Sequence, residues 1–173
     1  MSEILLPENQ FPLLDLWKPP LEIRVDEKGY QVLDLIRKKW LRLSPEEWVR
    51  QHVLFWLIHH TGYPAPLLSI ERKVQARSGN RADVVCYGKN GMPLLLVECK
   101  APGELISQIT AMQAMKYNRH LQATFIWLTN GKQHRVLQFS DMRKPPLELP
   151  ILPGFIEMEL KSLQFPVDPN EKT

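Results

Sequence analysis

The chain has 173 residues, 44% of them hydrophobic and 24% charged, with a net charge of +3. That length buries a core without disulfides or a structural metal, and the composition is that of an ordinary globular protein rather than a fibrous or disordered one. No apolar run approaches the roughly 18–20 residues that span a bilayer. The opening Met-Ser-Glu-Ile-Leu-Leu-Pro-Glu has no basic region ahead of an apolar one, so it does not read as a signal peptide. The two cysteines, Cys86 and Cys99, lie in apolar stretches and read as buried thiols. These features lead us to expect a cytoplasmic protein without a membrane partner.

In chain order, residues 1–20 contain four prolines and read as an irregular arm, with Phe11, Leu14 and Trp17 as its anchors. Leu21–Val25 and Tyr30–Ile36 alternate around Asp26-Glu27-Lys28-Gly29, which suits a hairpin. Leu33, Ile36, Trp40 and Leu41 also keep helical spacing, so a helix start there stays open. Ser44-Pro45-Glu46-Glu47 predicts a helix with Ser44 as cap and Glu47 completing a capping box, ending near Gly62. Trp40, Trp48 and Trp56 read as core residues, and His52, His59 and His60 as structural or surface ones.

Strands follow at Leu68–Val74, Ala82–Tyr87 and Pro93–Cys99, the last two flanking the hairpin signal Asn90-Gly91. A helix is predicted from Gly103 to about His120, with Leu105, Ile106, Ile109, Met112 and Met115 as its apolar positions. Ala123–Leu128 and Arg135–Phe139 read as strands joined through Thr129-Asn130-Gly131. Six prolines from Pro145 onward suggest a wrapping C-terminal segment with a loose end. The chain divides into an arm with a first strand (1–30), a core (31–143) and a Pro-rich segment (144–173) of one domain. No Gly-x4-Gly-Lys-Ser/Thr loop occurs, so no nucleotide-driven motor is expected in this chain.

Charge is uneven. Lys116, Arg119, Lys132, Arg135, Arg143 and Lys144 face one acid, Asp141, between 116 and 144, and Arg72, Lys73, Arg77 and Arg81 cluster just before Asp83. Such a distribution fits either a solvated surface or a phosphate-binding face. His134, beside Arg135, reads as a phosphate contact rather than a catalyst.

The most informative residues are Asp83, Glu98 and Lys100, because charges at the end of the apolar strand Leu94–Val97 are costly to bury without a partner. With Asn90 and Gly91 as the central residues of a type I′ turn, Asp83 falls directly opposite Glu98, and Lys100 projects from the same face. Two carboxylates facing each other need a cation between them. Lys100 can serve, giving a structural ion triad, or a divalent metal can.

Arg81-Ala82-Asp83 followed by Leu95-Leu96-Val97-Glu98-Cys99-Lys100-Ala101-Pro102 resembles the nuclease core of the PD-(D/E)xK superfamily. More closely, it is similar to the N-terminal nuclease domain of type I restriction endonuclease R subunits. Pro45–Gln51, Gln113-x-x-x-Tyr117-Asn118 and Thr129-Asn130-Gly131 share that family's style, so the resemblance covers about residues 30–140. Ala82 stands where the superfamily name places a proline.

The resemblance implies an α/β, restriction-endonuclease-like core with a central mixed sheet flanked by helices. It further implies Mg²⁺ (or Mn²⁺) held by Asp83, Glu98 and the Cys99 carbonyl, with Lys100, Gln113, Tyr117 and Glu47 as further catalytic residues. The metal would neutralise phosphoryl charge and activate water, with Lys100 adding a compact charge. Arg81, Lys116, Asn118, Arg119, Lys132 and Arg135 are the candidate DNA contacts. Each auxiliary residue has a plainer reading beside this one: Glu47 as a capping-box acid, Gln113 and Tyr117 as a polar stripe, Asn118 and Arg119 as a helix end.

The expected function is a Mg²⁺-dependent DNA endonuclease of the restriction-modification kind, partnered by DNA and by other subunits or a second copy. A non-catalytic DNA- or protein-binding module and a Holliday-junction or repair-type nuclease are the alternatives.

Overall fold

The computed structural model describes residues 4–73 and 81–164, with only the backbone described for Arg72, Lys73 and Arg81. Two sheets form. The smaller is an antiparallel meander of β1 (Ile23–Asp26), β2 (Gly29–Leu33) and β3 (Trp40–Arg42). Trp40–Arg42 pairs with β2, which settles the ambiguous 30–41 stretch as strand rather than helix. This sheet closes over Phe11, Val32, Leu43 and Trp48. The arm is held there by Phe11, whose ring meets Tyr30 and Trp48 edge-on, and by the Trp48 indole N–H donating to the Pro12 carbonyl at 3.0 Å. Trp17, expected as an anchor, stays half exposed against His60.

The larger sheet has six strands in the order β4 (Leu68–Lys73), β5 (Arg81–Tyr87), β6 (Pro93–Cys99), β7 (Phe125–Thr129), β8 (His134–Gln138) and β9 (Leu147–Leu149). Only β6 and β7 run parallel, joined by the crossover helix α2 (Gln108–Leu121). Helix α1 (Pro45–His59) and helix α3 (Phe155–Gln164) pack on one face around Val53, Leu57, Phe155 and Met158. Helix α2 packs on the other through Ala111 and Ala114. This is the expected α/β architecture of a mixed sheet flanked by helices.

Helix α1 starts as its sequence dictates. The Ser44 hydroxyl accepts from the Glu47 N–H at 3.1 Å, and Pro45 occupies the first turn. The reciprocal half of the capping box does not form, because the Glu47 carboxylate turns to Arg50 and Gln51 instead. Helix α2 begins five residues later than its apolar spacing suggests. Ser107 caps it, and small residues Ala111 and Ala114 let it lie close to the sheet. Leu105, Ile109 and Met112, expected to face inward, are therefore exposed. The C-terminal segment is also more ordered than its prolines suggest. The prolines bracket β9 and α3, and between them Phe155 and Met158 are buried one turn apart.

The β5–β6 hairpin reaches the expected register by a different route. The Gly91 N–H donates to the Gly88 carbonyl at 2.9 Å, and Gly91 alone of the turn residues has positive φ (+76°). The loop is thus Lys89-Asn90-Gly91, a type I turn closed by a left-handed glycine, not a type I′ pair at Asn90-Gly91. On its own this shifts the strands by one residue and turns Asp83 away from Glu98. A bulge offsets the shift: Tyr87 pairs with Pro93 but Cys86 with Leu95, leaving Leu94 unpaired. From there Val85 faces Leu96 and Val84 faces Val97, the register expected from the sequence.

The Thr129–Gln133 turn is packed from behind by the arm. Asp15 N–H donates to the Gly131 carbonyl at 2.7 Å, and a Cβ on Gly131 (φ +83°) would sit 2.7 Å from Leu14 Cδ2. Among the described residues, no helix is long and apolar enough to cross a membrane.

The turn assignment predicts that Gly91→Ala destabilises the fold by about 1–2 kcal/mol, since a Cβ has open space but an unfavourable φ. Asn90→Ala should cost less than about 1 kcal/mol, because Asn90 contributes one exposed hydrogen bond to the Met92 N–H. Denaturant titrations of the two variants compare these costs; under a type I′ turn both positions would be sensitive.

Candidate active site

Two irregularities of the sheet meet at Asp83, near the start of β5 and the end of β6. The β5–β6 ladder reaches Val84–Val97. Beyond it the Asp83 carboxylate takes the Cys99 N–H through Oδ2 at 2.7 Å. On the other side, the β4–β5 ladder skips from Ile70–Val84 to Arg72–Ala82, and Glu71 between them adopts φ +51°. A left-handed non-glycine residue in a strand costs about 1–3 kcal/mol and must be held by its surroundings. Val84 packs toward α1 whereas Ala82 packs toward α2, so side-chain alternation breaks at Asp83. That break frees Asp83 to meet α1.

What it meets is Arg50. Arg50 is 5% exposed, and its guanidinium lies among four carboxylates. Nη2 donates to Asp83 Oδ1 at 2.9 Å and to Glu46 Oε1 at 3.1 Å, and Nη1 donates to Glu47 Oε2 and to Glu71 Oε1 at 3.3 Å. Glu71 also accepts from Arg37 at 2.8 Å, and Arg37 forks onto the buried Asp34, which accepts from Gln51 as well. A continuous ion network therefore runs from the end of β2 through α1 to the sheet.

Lys100 donates to Glu98 Oε1 at 3.1 Å. The other oxygen, Glu98 Oε2, is buried without a hydrogen-bond partner. Burial first, and the Asp83 charge second, push the Glu98 carboxyl from an ordinary 4.5 up to about 7 against the pull of Lys100. Burial likewise works to discharge Lys100, but the Glu98, Asp83 and Glu46 carboxylates outweigh it and hold the ammonium above its ordinary range. Glu46 is raised by burial and then by Asp83, with Arg50 and Lys100 opposing. Asp83, Glu98, Lys100, Arg50 and Glu46 thus share one electrostatic field. The connected cluster carries six acids (Asp34, Glu46, Glu47, Glu71, Asp83, Glu98) against three bases (Arg37, Arg50, Lys100).

The remaining candidates fall into distinct places. Glu47 is buried in the Arg37–Arg50–Gln51 side of the network, so it is Glu46, its neighbour, whose charge is felt at Glu98. The Cys99 thiol is buried and held far above its ordinary range by burial first and Asp83 second, while its N–H serves Asp83. Gln113 is exposed and Tyr117 packs half-buried beside the α2 core. Asn118 is corrected: it is 1% exposed, and its amide clamps Ala123, donating to the carbonyl at 2.8 Å and accepting from the N–H at 2.9 Å. A side chain so placed ends the helix and does not reach DNA.

Arg135 forks onto Glu148 at 2.9 and 2.8 Å, which occupies its guanidinium. The Arg81 side chain and Arg77 lie outside the described residues. Lys116, Arg119 and Lys132 are exposed. Because β6 and β7 are parallel, the turn carrying Lys132 sits at the same sheet end as Glu98 and Lys100. Lys116 and Arg119 follow on the second half of α2, more than about 10 Å further along the axis at 1.5 Å per residue.

The loop after Lys100 is tied to that turn as well. The Lys100 N–H donates to the Thr129 carbonyl at 2.9 Å, and the Asn130 amide donates to the Glu104 carbonyl at 2.7 Å. His134 shares a 2.8 Å hydrogen bond with Thr129, and burial pushes His52 down to about 4, where it donates to the Trp48 carbonyl.

Sequence reasoning missed Arg50, Arg37, Glu71 and Asp34. One signal was present: Arg50-Gln51 sits inside an otherwise apolar helix run, where an unpaired charge is not tolerated.

A mixed sheet that gathers acids from neighbouring strands and one lysine at a single end, with helices on both faces, defines a restriction-endonuclease-like relative. A family model described as the type I restriction enzyme R protein N terminus matches residues 45–153. The chain belongs to that family. Among solved structures it is similar to the type IIG restriction endonuclease BpuSI, with a TM-score of 0.45 and 20% identity. That similarity covers 67% of this chain and 15% of BpuSI, so the chain spans a small part of the larger enzyme. No curated protein matches.

The Glu98 shift gives a pH prediction. The folded protein holds this proton more tightly than the unfolded chain, so metal-free stability falls as pH rises from about 4.5 to about 7 and levels beyond. Thermal melts of wild type and Glu98→Gln across that window check it; the variant should lack this component, and identical profiles would refute the assignment.

Proposed function

We propose that this domain hydrolyses DNA phosphodiester bonds with Mg²⁺, or Mn²⁺ in its place, as part of a restriction-modification assembly. The observation carrying this reading is the stranded oxygen of Glu98, a buried carboxylate oxygen beside a second carboxylate and one ammonium, with no partner of its own. Hard oxygen ligands of this kind suit Mg²⁺, which retains several waters rather than demanding an all-protein cage. Among the described residues no group of three or more His, Cys, Asp or Glu ligands occurs, so in this reading the two carboxylates act with a backbone carbonyl and water.

In this reading Asp83, Glu98 and the Cys99 carbonyl hold the ion, which supplies charge neutralisation and a nucleophilic water. Lys100 stays an ammonium beside its carboxylates, so it donates rather than accepts protons. It orients the attacking water or stabilises charge on the phosphoryl oxygens as one P–O bond forms and another breaks. No histidine is needed as base, and His52 is buried against Trp48 with its ring N–H on the Trp48 carbonyl. Among the described candidate DNA contacts, Lys132 lies at the same sheet end as Glu98 and Lys100 and would steer a DNA backbone toward them.

Purified protein with Mg²⁺ or Mn²⁺ should nick plasmid, and Lys100→Ala should lower the rate about 10²-fold or more while leaving the protein folded at the assay temperature. Equal activity in Lys100→Ala would refute the role. Lys132→Ala should weaken DNA binding and reduce the salt slope by about one, more than Arg119→Ala does. The Arg50–Asp83 pair supports a second reading, a non-catalytic DNA-binding module in which the ions are structural. Calorimetric titration with Mn²⁺ separates the two: binding abolished in Asp83→Asn favours the nuclease, and none in wild type favours the module.

A further inference from the structure

We propose that Arg50 is the metal's internal stand-in: its guanidinium occupies an Asp83 oxygen that a divalent ion needs, holding the site's acids in place until the ion displaces it. This rests on the metal reading of Asp83 and Glu98 above.

Three observations carry it. First, Arg50 takes Asp83 Oδ1 at 2.9 Å, while Asp83 Oδ2 is fixed by the Cys99 N–H. Of the two donors only Arg50 is itself a cation, so an ion arriving between Asp83 and Glu98 competes with its guanidinium for Oδ1 and repels it. Second, Arg50 is buried yet incompletely satisfied, because its Nε lacks a hydrogen-bond partner. A buried charge bound through only its two terminal nitrogens has an unmet donor, which weakens the case for its being locked where it is. Third, its other partners allow it to let go. Glu46, Glu47 and Glu71 all lie on Arg50's side of the site, so releasing Asp83 still leaves the guanidinium among three acids.

A plain structural ion pair makes the opposite prediction. Removing one partner of a buried pair leaves an uncompensated charge and disorders what it held. A structural Arg50 would thus lose metal binding when substituted. A stand-in would improve it.

The test is titration of Mn²⁺ alone, followed by the free-ion electron paramagnetic resonance signal, into wild type, Arg50→Gln, Arg50→Lys, Arg37→Gln and Asp83→Asn. Thermal melts accompany each, with and without Mn²⁺. Arg50→Gln should bind Mn²⁺ about tenfold more tightly, the scale of releasing one charge-assisted hydrogen bond. Its metal-free melting point should fall and recover further on Mn²⁺ than the wild type's does. Arg37→Gln removes the same charge from the same network without touching Asp83, so its affinity should change much less.

An unchanged or weaker affinity in Arg50→Gln, with Asp83→Asn still abolishing binding, overturns the stand-in while leaving the metal site intact. An equal gain in Arg37→Gln overturns it too, since the effect would then be one of general field. Absence of Asp83-dependent Mn²⁺ binding in every variant overturns the metal reading itself, and the stand-in with it. If Arg50→Gln does not fold under either condition, Arg50→Lys decides by the same criterion: tighter binding supports the stand-in, and unchanged binding refutes it.

Discussion

The Arg50 guanidinium is the point on which the candidate site depends. It is anchored on α1, reaches the sheet at Asp83, and touches Glu71 where the β4 backbone leaves regular strand geometry. Without a cation there, Glu46, Glu47, Glu71 and Asp83 would repel one another in a half-buried space, a cost that rises steeply as the local dielectric falls. The strain at Glu71 is tolerable because two arginines pin that residue from the same side. Ion pairs buried to this degree seldom add much net stability. Their value here is positional: they fix which way each carboxylate points.

The network also explains why the smaller sheet belongs to the architecture of the site. Asp34, at the end of β2, accepts hydrogen bonds from Arg37 and Gln51, and Arg37 passes that constraint to Glu71. Burial works against the Asp34 charge, but those donors prevail and hold its carboxyl below the ordinary range. A small meander becomes stable by burying a hydrophobic face or by packing against a helix. Here it shares Trp48 with α1 through its apolar side and Gln51 through its polar side, so its position is coupled to the helix that carries Arg50.

Much of this was legible in the sequence, and the failures have physical causes. Ser44-Pro45 set the start of α1, and the Leu94–Val97 run identified the central strand, because capping and burial are local signals. The register from Cys86–Leu95 to Val84–Val97 is the one expected, though it was read from a turn that is not the one present. The type I turn and the bulge at Leu94 each move the register by one residue and offset one another, which no local reading reveals. The face of α2 was misjudged because close packing against a sheet favours alanine, leaving larger apolar residues outside. Helix α3 was masked by prolines that bound it rather than break it. Arg50 escaped notice because its importance comes from partners 21 and 33 residues away, which spacing along one helix does not show.

Gly131 carries one further consequence. Its side-chain position is filled by Leu14 from the arm, and the same turn is bonded to the segment that follows Lys100. Leucine and glycine form a matched lock across 117 positions of sequence. Any residue other than glycine would have to evict the arm, and a bulkier residue in the arm would press on the backbone that steadies the lysine. The proline-rich arm is in that sense a wedge behind the candidate site, and the two segments can drift in sequence only together.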